Sequence, residues 1–216
     1  MRSSLAGDSI RGMEISVKMR VLAAAILSLG IFAPAILYAG TMDNKGSAFT
    51  NSEGQKVTCS AGFDATRYTP ATDVFAIIGS SNKTVRITSI VVTGTATANS
   101  PADVLLVKRS TANSGGTPTE ITPTNYDSSD PACTASVVKY AAAPTLGALI
   151  GVVRDTKMTL NAPGAAAMYP LVWDFGTRNQ RALVLRGANE LAALNWQGAA
   201  TPAGMDLSVT IEWTEE

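Results

Sequence analysis

The C-terminal segment of the chain shows most plainly how apolar and polar positions alternate. In residues 206–214 (DLSVTIEWT), apolar side chains occupy every second position from Leu207 to Trp213, and the positions between them are polar. Because successive side chains of an extended strand point to opposite faces, this pattern predicts a β-strand with one face in a core and the other toward solvent.

Similar short segments recur along the chain between clusters of Gly, Pro, Asn and Ser. They predict strands at 73–78, 84–95, 103–109, 135–141, 148–153, 169–175, 181–186, 191–197 and 206–214. No stretch forms a convincing amphipathic helix, since the best candidate, within 188–197, is short and bounded by glycines. Strands at this spacing predict an antiparallel β-sandwich or barrel, in one domain over 57–216.

The segment 84–95 changes phase in its middle. Val85 and Ile87 fall on one side, but Ile90 and Val92 fall on the other, with polar residues between the two pairs. A β-bulge near Thr88 would return all four apolar residues to one face, and a strand between two packed layers is the alternative. Either way we expect a central strand.

Two hairpins are expected near the C-terminus. The segments 181–186 and 191–197 are joined by a turn at 187–189, and Gly198, Pro202 and Gly204 lead into 206–214. We therefore expect 206–214 to pair with 191–197 or a near neighbour, and to pack on 169–175.

The N-terminal region predicts export. Lys18 and Arg20 come just before an uncharged apolar run over 21–39, and small residues precede Gly40. This pattern is typical of a signal peptide, here residues 1–39, cleaved after Ala39. An uncleaved membrane anchor is the alternative, and translation from Met19 would shorten the signal. Residues 40–56, polar and glycine-rich, predict a flexible arm.

The charge of the mature chain argues against nucleic acid as a partner. Without residues 1–39, Lys plus Arg falls from 17 to 13 and Asp plus Glu from 17 to 15, so the net charge is 13 − 15 = −2. Binding to a phosphate backbone requires a concentrated basic face. We expect contact with a membrane only through the signal peptide.

The mature chain contains two cysteines, Cys59 and Cys133. In an exported protein such a pair predicts one disulfide, and two buried free thiols are the alternative.

The residue types limit the chemistry. The chain has no histidine, which removes Ser-His-Asp and Cys-His catalysis and histidine-ligated zinc. Ser-x-x-Lys spacings at Ser80 and Ser136 lack the companion motifs of penicillin-binding enzymes. We predict no catalytic, cofactor-binding or metal-binding residue, and a protein that is not an enzyme. The acids that remain to be considered as a hydrolytic pair are Asp174, Glu190, Asp206 and Glu212.

The long irregular connection over 110–135 is a candidate recognition loop, because loops on β-scaffolds often carry binding residues. A solvated excursion fixed by Cys133 is the equal alternative. The candidate recognition residues are Asn113, Asn125, Tyr126 and Asp127.

Four phrases occur in a distinctive order: LVKRSTANSGGT (106–117), VWDFGTR (172–178), LVLRG (183–187) and IEWTEE (211–216). On these phrases, residues 70–216 resemble small β-rich proteins of tailed phages that are described as virion structural, decoration or fibre-associated proteins. The resemblance implies a jelly-roll-like sandwich that forms a homo-oligomer, most simply a trimer, and binds virion or cell-surface components. Because virion proteins need no export signal, an exported relative at the cell surface, in the periplasm or outside the cell is the alternative. A secreted carbohydrate-binding or adhesion module is the second functional hypothesis.

Overall fold

The structure is a computed structural model that describes residues 41–42, 48–49, 55–66, 72–164, 169–176, 181–197 and 201–216. The predicted signal peptide, residues 1–39, lies outside the described residues. The chain divides into two units, Met1–Asn51 and Ser52–Glu216. In the first unit, β1 (Thr41–Met42) and β2 (Ala48–Phe49) form a short antiparallel pair within the segment predicted to be an arm.

The second unit is all-β in its described part, as the alternation predicted. Its strands are β3 (Val57–Thr66), β4 (Asp73–Ile78), β5 (Thr84–Thr95), β6 (Ser100–Arg109), β7 (Pro118–Ile121), β8 (Thr124–Asn125), β9 (Ser136–Tyr140), β10 (Leu149–Leu160), β11 (Leu171–Asp174), β12 (Leu183–Arg186), β13 (Leu191–Asn195) and β14 (Asp206–Glu215).

The strands form two antiparallel sheets with a jelly-roll topology. Sheet 1 has the order β10-β6-β13-β4-β9-β7, and sheet 2 has the order β11-β5-β14-β3-β8, with β12 also on β5. Eight main strands follow one another along the described part of the chain, if β11 and β12 are counted as one: β3, β4, β5, β6, β10, β11/β12, β13 and β14. The first pairs with the last (β3 with β14), the second with the seventh (β4 with β13), the third with the sixth (β5 with β11 and β12) and the fourth with the fifth (β6 with β10). This rolled-up set of pairs is the jelly-roll sandwich. The strands β7, β8 and β9 are an insertion between the fourth and fifth main strands.

The core lies between the two sheets and contains the inward side of each alternating strand. Trp173, Trp196 and Trp213 are all buried in this core. Phe63 of β3 stacks on Phe75 of β4, with ring centroids 5.3 Å apart, so aromatic contacts join the sheets directly.

The predicted bulge in β5 is confirmed. In the ladder with β14, Glu212 is opposite Ser89 but Trp213 is opposite Ile87, so Thr88 is the extra residue. The Thr88 hydroxyl donates a hydrogen bond to the Glu212 carbonyl at 3.1 Å. As a result the apolar residues on both sides of the bulge are buried in the same core.

The expected C-terminal hairpins are wrong. β12 pairs with β5 in sheet 2, whereas β13 pairs with β4 and β6 in sheet 1, so the turn at 187–190 crosses between sheets. β14 pairs with β3 and β5 rather than with β13. β3 was not among the predicted strands, although its apolar residues alternate with polar residues or glycine; small residues such as Ala61 and Gly62 give this alternation little contrast in hydrophobicity. Because β3 was not predicted, we expected β14 to pair with the nearest predicted strand along the chain.

The central strands of sheet 1, β4 and β13, are buried on both faces. A second apolar cluster lies on the side of this sheet away from the core and contains Ala76, Val107, Val138, Tyr140, Leu191 and Ala193. Burial on both faces explains the continuous apolar run of β13, every residue of which is buried.

Candidate functional site

The predicted recognition loop is partly ordered by pairing with the sheets. β7 pairs with β9 at the edge of sheet 1, and β8 pairs with β3 at the edge of sheet 2. The segments that follow β6 and β9 also pair with each other, through Ser114 and Thr145. The loop is therefore fixed to both sheets rather than projecting as one flexible excursion.

Asn113 belongs to a buried polar cluster around Asp73. The Asp73 carboxylate accepts two hydrogen bonds from the Arg109 guanidinium, at 2.8 and 2.9 Å, and one from the Asn113 side chain at 2.8 Å. Asn195 donates a fourth at 2.6 Å. The Asn113 side-chain oxygen in turn accepts from the Gly147 amide. Asn113 thus ties two loop segments to the ends of strands and has little capacity left for an external ligand.

Asn125 and Asp127 also serve the local backbone. The Asn125 side-chain amide donates to the carbonyls of Pro131 and Asp130, at 2.7 and 3.2 Å. The Asp127 carboxylate accepts from the amide and hydroxyl of Ser129, which lowers the pKa of this exposed acid. These contacts are typical of turn formation.

Tyr126 differs from the other three candidates because it presents an aromatic side chain to solvent, with 61% of the residue exposed. Its hydroxyl donates a hydrogen bond to the Glu212 carboxylate on β14, and this bond to an anion is the main reason that the pKa of Tyr126 is raised to about 12. The structure therefore places Tyr126 against the polar side of β14, where a ring fixed at one end stays open to solvent.

The polar side of β14 belongs to the outer surface of sheet 2. Its residues from Asp206 to Glu212 are half-buried, between polar residues of β3 and β5. A groove of 270 Å³ on this surface is lined by Asp64, Asp206, Ser208 and other residues of the same three strands. This face is rich in hydroxyl and carboxylate groups.

The two cysteines form a disulfide between β3 and the loop that precedes β9, as predicted. Next to the loop, Glu215 is buried and accepts hydrogen bonds from the amides of Thr134 and Ala135 and from the Trp213 indole, at 2.8–3.0 Å. Lys83 pairs with the same carboxylate at 3.2 Å. The loop is therefore attached to sheet 2 twice, once covalently and once through a buried charge.

The Ser80 and Lys83 spacing has a structural use. The buried Ser80 hydroxyl accepts from the amides of Asn82 and Lys83 and from the Thr134 hydroxyl. The Lys83 ammonium is directed to Glu215 instead of the serine. Ser80 thus closes a turn and joins the Glu215 network, which is not the arrangement of an activated nucleophile.

Three of the four acids considered for hydrolysis have separate partners, and the fourth, Asp206, lines the 270 Å³ groove. Asp174 accepts a hydrogen bond from Ser89, Glu190 pairs with Lys108, and Glu212 accepts from Tyr126. Among the residues that the structure describes, no group of three or more His, Cys, Asp or Glu side chains could hold a metal ion. Nor does that part of the chain contain a helix long and apolar enough to span a bilayer.

The most prominent apolar surface lies at the edge of sheet 1. Leu146, Leu149, Ile150 and Val152, which we call the β10 patch, are each between 41% and 57% exposed. β10 pairs with β6 on one side only among the described strands. The sequence predicted a strand at 148–153, but alternation alone did not show that it lies at an edge.

A groove of 430 Å³ lies at the other end of β10. It is lined by the end of that strand and by the segment that leads into β11, including Met158, Asn161, Tyr169 and Leu171. Tyr169 is 82% exposed, which makes it the most exposed large apolar side chain among the described residues. We call this the end groove.

β10 and β11 adjoin across the open side of the sandwich. The Trp173 indole of β11 donates to the Thr156 hydroxyl of β10 at 3.2 Å, and the Arg154 guanidinium lies 4.8 Å from the Phe175 ring centroid. These contacts close the core at this side and leave the outer edge of β10 free of a partner strand within the described chain.

Comparison with known proteins gives no relative: no family model, no curated protein and no solved structure matches the chain.

Proposed function

We propose that this chain is a non-enzymatic structural protein that acts by self-association and by binding to a surface, either as a phage-virion-like decoration or fibre-associated protein or as an exported relative. The observation that carries the proposal is the β10 patch, which exposes three apolar side chains on an edge strand and a fourth, Leu146, just before it. Apolar patches of this kind, and long unshielded edges, are typical of interaction sites.

The buried acidic residues hold the fold together, which supports a structural role. The conspicuous buried acids, Asp73 and Glu215, are neutralised by basic side chains and hydrogen bonds that hold loops in place. Jelly-roll sandwiches serve as capsid and lectin domains, so the fold suits a structural or surface-binding role, although a fold by itself does not assign one.

Export is part of the proposal. The disulfide is compatible with an oxidising compartment, and the predicted signal peptide would deliver the chain there. For the virion-like form, the partners are virion components. For the exported form, they are components of a cell surface.

The test is intact mass and native mass on the protein recovered from its own source. A chain that begins at Gly40, is lighter by two protons because of the disulfide, and is multimeric would support the exported form. An uncleaved chain found in purified particles would support the virion form and exclude the signal peptide. A monomer at micromolar concentration, from either source, would contradict self-association.

A carbohydrate-binding module is the second candidate, and Tyr126 favours it. An exposed ring held beside the Glu212 carboxylate, on a face rich in hydroxyl groups, offers a stacking surface and polar groups for a sugar. Binding on a glycan array that is lost in Tyr126→Ala and kept in Tyr169→Ala would support this candidate. Equal binding by both variants would exclude the Tyr126 face.

A further inference from the structure

We propose that the outer edge of β10 is the contact between two copies of this chain, which pair antiparallel about a two-fold axis at Thr156. The inference rests on the proposed self-association and names its surface, register and symmetry. It predicts a closed, isologous dimer, in which the same surface of both copies forms the contact.

The first argument is the length and exposure of the edge. β10 has twelve residues, and its ladder with β6 runs to Leu160. The two register shifts in this ladder fall between Leu149 and Arg154, so the half from Arg154 onward is regular. An edge strand of this length usually carries features that block further pairing. In β10 the bulges are confined to the exposed apolar half, and the charged side chains of the regular half, Asp155 and Lys157, are of opposite sign.

The second argument is charge complementarity. Asp155 and Lys157 are both exposed, and they share the outer face because they are opposite Leu105 and Asp103 of β6. In an antiparallel pair centred on Thr156, Asp155 of each copy is directly opposite Lys157 of the other. Opposite residues of such a pair lie about 4.5–5.5 Å apart, so the two-fold axis generates two cross-strand ion pairs.

Lys157 already has one carboxylate partner, on the neighbouring strand β6. Its ammonium pairs with the Asp103 carboxylate of the neighbouring strand, and this contact raises the pKa of Lys157. In the dimer the ammonium would lie between Asp103 of its own copy and Asp155 of the second copy. Three strands would then be joined by alternating charges on one face of a continuous sheet.

The third argument is the position of the apolar groups. With Thr156 on the axis, the ladder between copies extends from Val152 to Leu160 of each chain. Leu149 and Ile150 extend beyond the end of the opposing strand, toward the end groove of the second copy. That groove has apolar walls from Met158, Tyr169 and Leu171. The β10 patch and the end groove are thus at opposite ends of one strand, as a two-fold contact requires.

Charge reversal tests the register. Asp155→Lys places like charges opposite each other twice in the dimer, and we expect the dissociation constant to rise at least about tenfold. The triple variant Asp155→Lys, Lys157→Asp and Asp103→Lys restores opposite charges both between the copies and between β10 and β6, and we expect the dissociation constant to return to within about threefold of the wild-type value. Asp64→Lys makes the same change of net charge on sheet 2 and is the control. All would be measured on the full chain by analytical ultracentrifugation.

Cysteine pairing gives a second readout that does not depend on charge. An equimolar mixture of Asp155→Cys and Lys157→Cys chains should form a mixed disulfide dimer under mild oxidation, because opposite positions are within disulfide reach. Either variant alone should not form one, because its two cysteines lie diagonally, about 7–8 Å apart.

The outcomes separate the inference from the proposed function. Restoration in the triple variant together with the mixed disulfide would support pairing through β10. A multimer that shows neither effect, or a trimer in native mass, would overturn the two-fold β10 contact and leave self-association standing. A monomer at all micromolar concentrations would overturn both.

Discussion

The buried carboxylate of Glu215 should be one of the largest single contributors to stability. Glu215→Ala removes the acceptor for the Trp213 indole and for the amides of Thr134 and Ala135. Two of these donors, the indole and the Ala135 amide, belong to buried residues. Water cannot easily replace the lost acceptor there, so both donors would be left without a partner.

The size of the expected stability loss follows from these two buried donors, the indole and the Ala135 amide. An unsatisfied buried donor costs about 1–3 kcal/mol, so the pair costs about 2–6 kcal/mol in the free energy of unfolding. Lys83 adds little, because its side chain is 23% exposed and its ammonium can be hydrated when the ion pair is lost. We therefore expect Glu215→Ala to lower the free energy of unfolding by about 4 kcal/mol.

The neighbouring residue supplies the control. The Glu216 side chain is 44% exposed, and its carboxylate is 3.5 Å from the Arg86 guanidinium. Glu216→Ala should cost no more than about 1 kcal/mol, as for other exposed ion pairs. Urea unfolding followed by tryptophan fluorescence and extrapolated to water would compare the variants. Equal losses for the two variants would refute the reasoning, because burial would then not decide the cost.

The pH dependence of stability has a definite sign. Burial alone would raise the pKa of Glu215, but hydrogen bonds from Trp213, Ala135 and Thr134 outweigh it, and the pKa in the folded protein lies below its ordinary value of 4.5. Its contribution is therefore present above pH 4.5 and is lost as the pH falls through the folded pKa. The difference in stability between wild type and Glu215→Gln should narrow below pH 4.5; a difference that stays constant would refute the assignment.

Three further outcomes are expected. Removing the disulfide with Cys59→Ala and Cys133→Ala, which opens a loop of sequence separation 74, should cost about 4.5 kcal/mol in urea unfolding. Asp73→Ala should cost about 3–5 kcal/mol in the same assay, because it leaves the buried guanidinium of its partner unpaired; a loss under about 1 kcal/mol would contradict this. In ultraviolet titration one tyrosine should ionise near pH 12, and Glu212→Gln should lower that value if the residue is Tyr126.

Strand positions were largely readable from the sequence. The bounds of β4 and β5 were predicted as the structure has them, and the phase change in β5 predicted the bulge at Thr88. β4 is recognisable as a continuous apolar run because both of its faces are buried, whereas β5 alternates on each side of its bulge because one face is in the core. β10 was predicted only to 153 but runs to Leu160, since its second half carries charges and is held by pairing with β6.

The polar clusters could not be predicted in the same way. Asp and Glu are residue types typical of the surface, and the partners of these two acids are distant in the chain. Arg109 is 36 residues from Asp73, and Thr134 is 81 residues from Glu215. Nothing local distinguishes a carboxylate that will be buried from one that will be hydrated. Of the four loop residues predicted for recognition, three are engaged in holding the loop, and only Tyr126 keeps an exposed ring.

Several properties can be read from the amino-acid sequence: the chain is a β-protein, most of its strands can be located, the buried side of β14 is evident, and its two cysteines can pair. Most of these are properties of single segments, because alternation is set by how one strand divides its side chains between core and solvent. The sheet that each strand joins, the position of β14 between β3 and β5, and the place of β10 at an edge are evident only in the folded protein. Strand pairing depends on contacts between distant segments, and the same alternating pattern satisfies many possible partners.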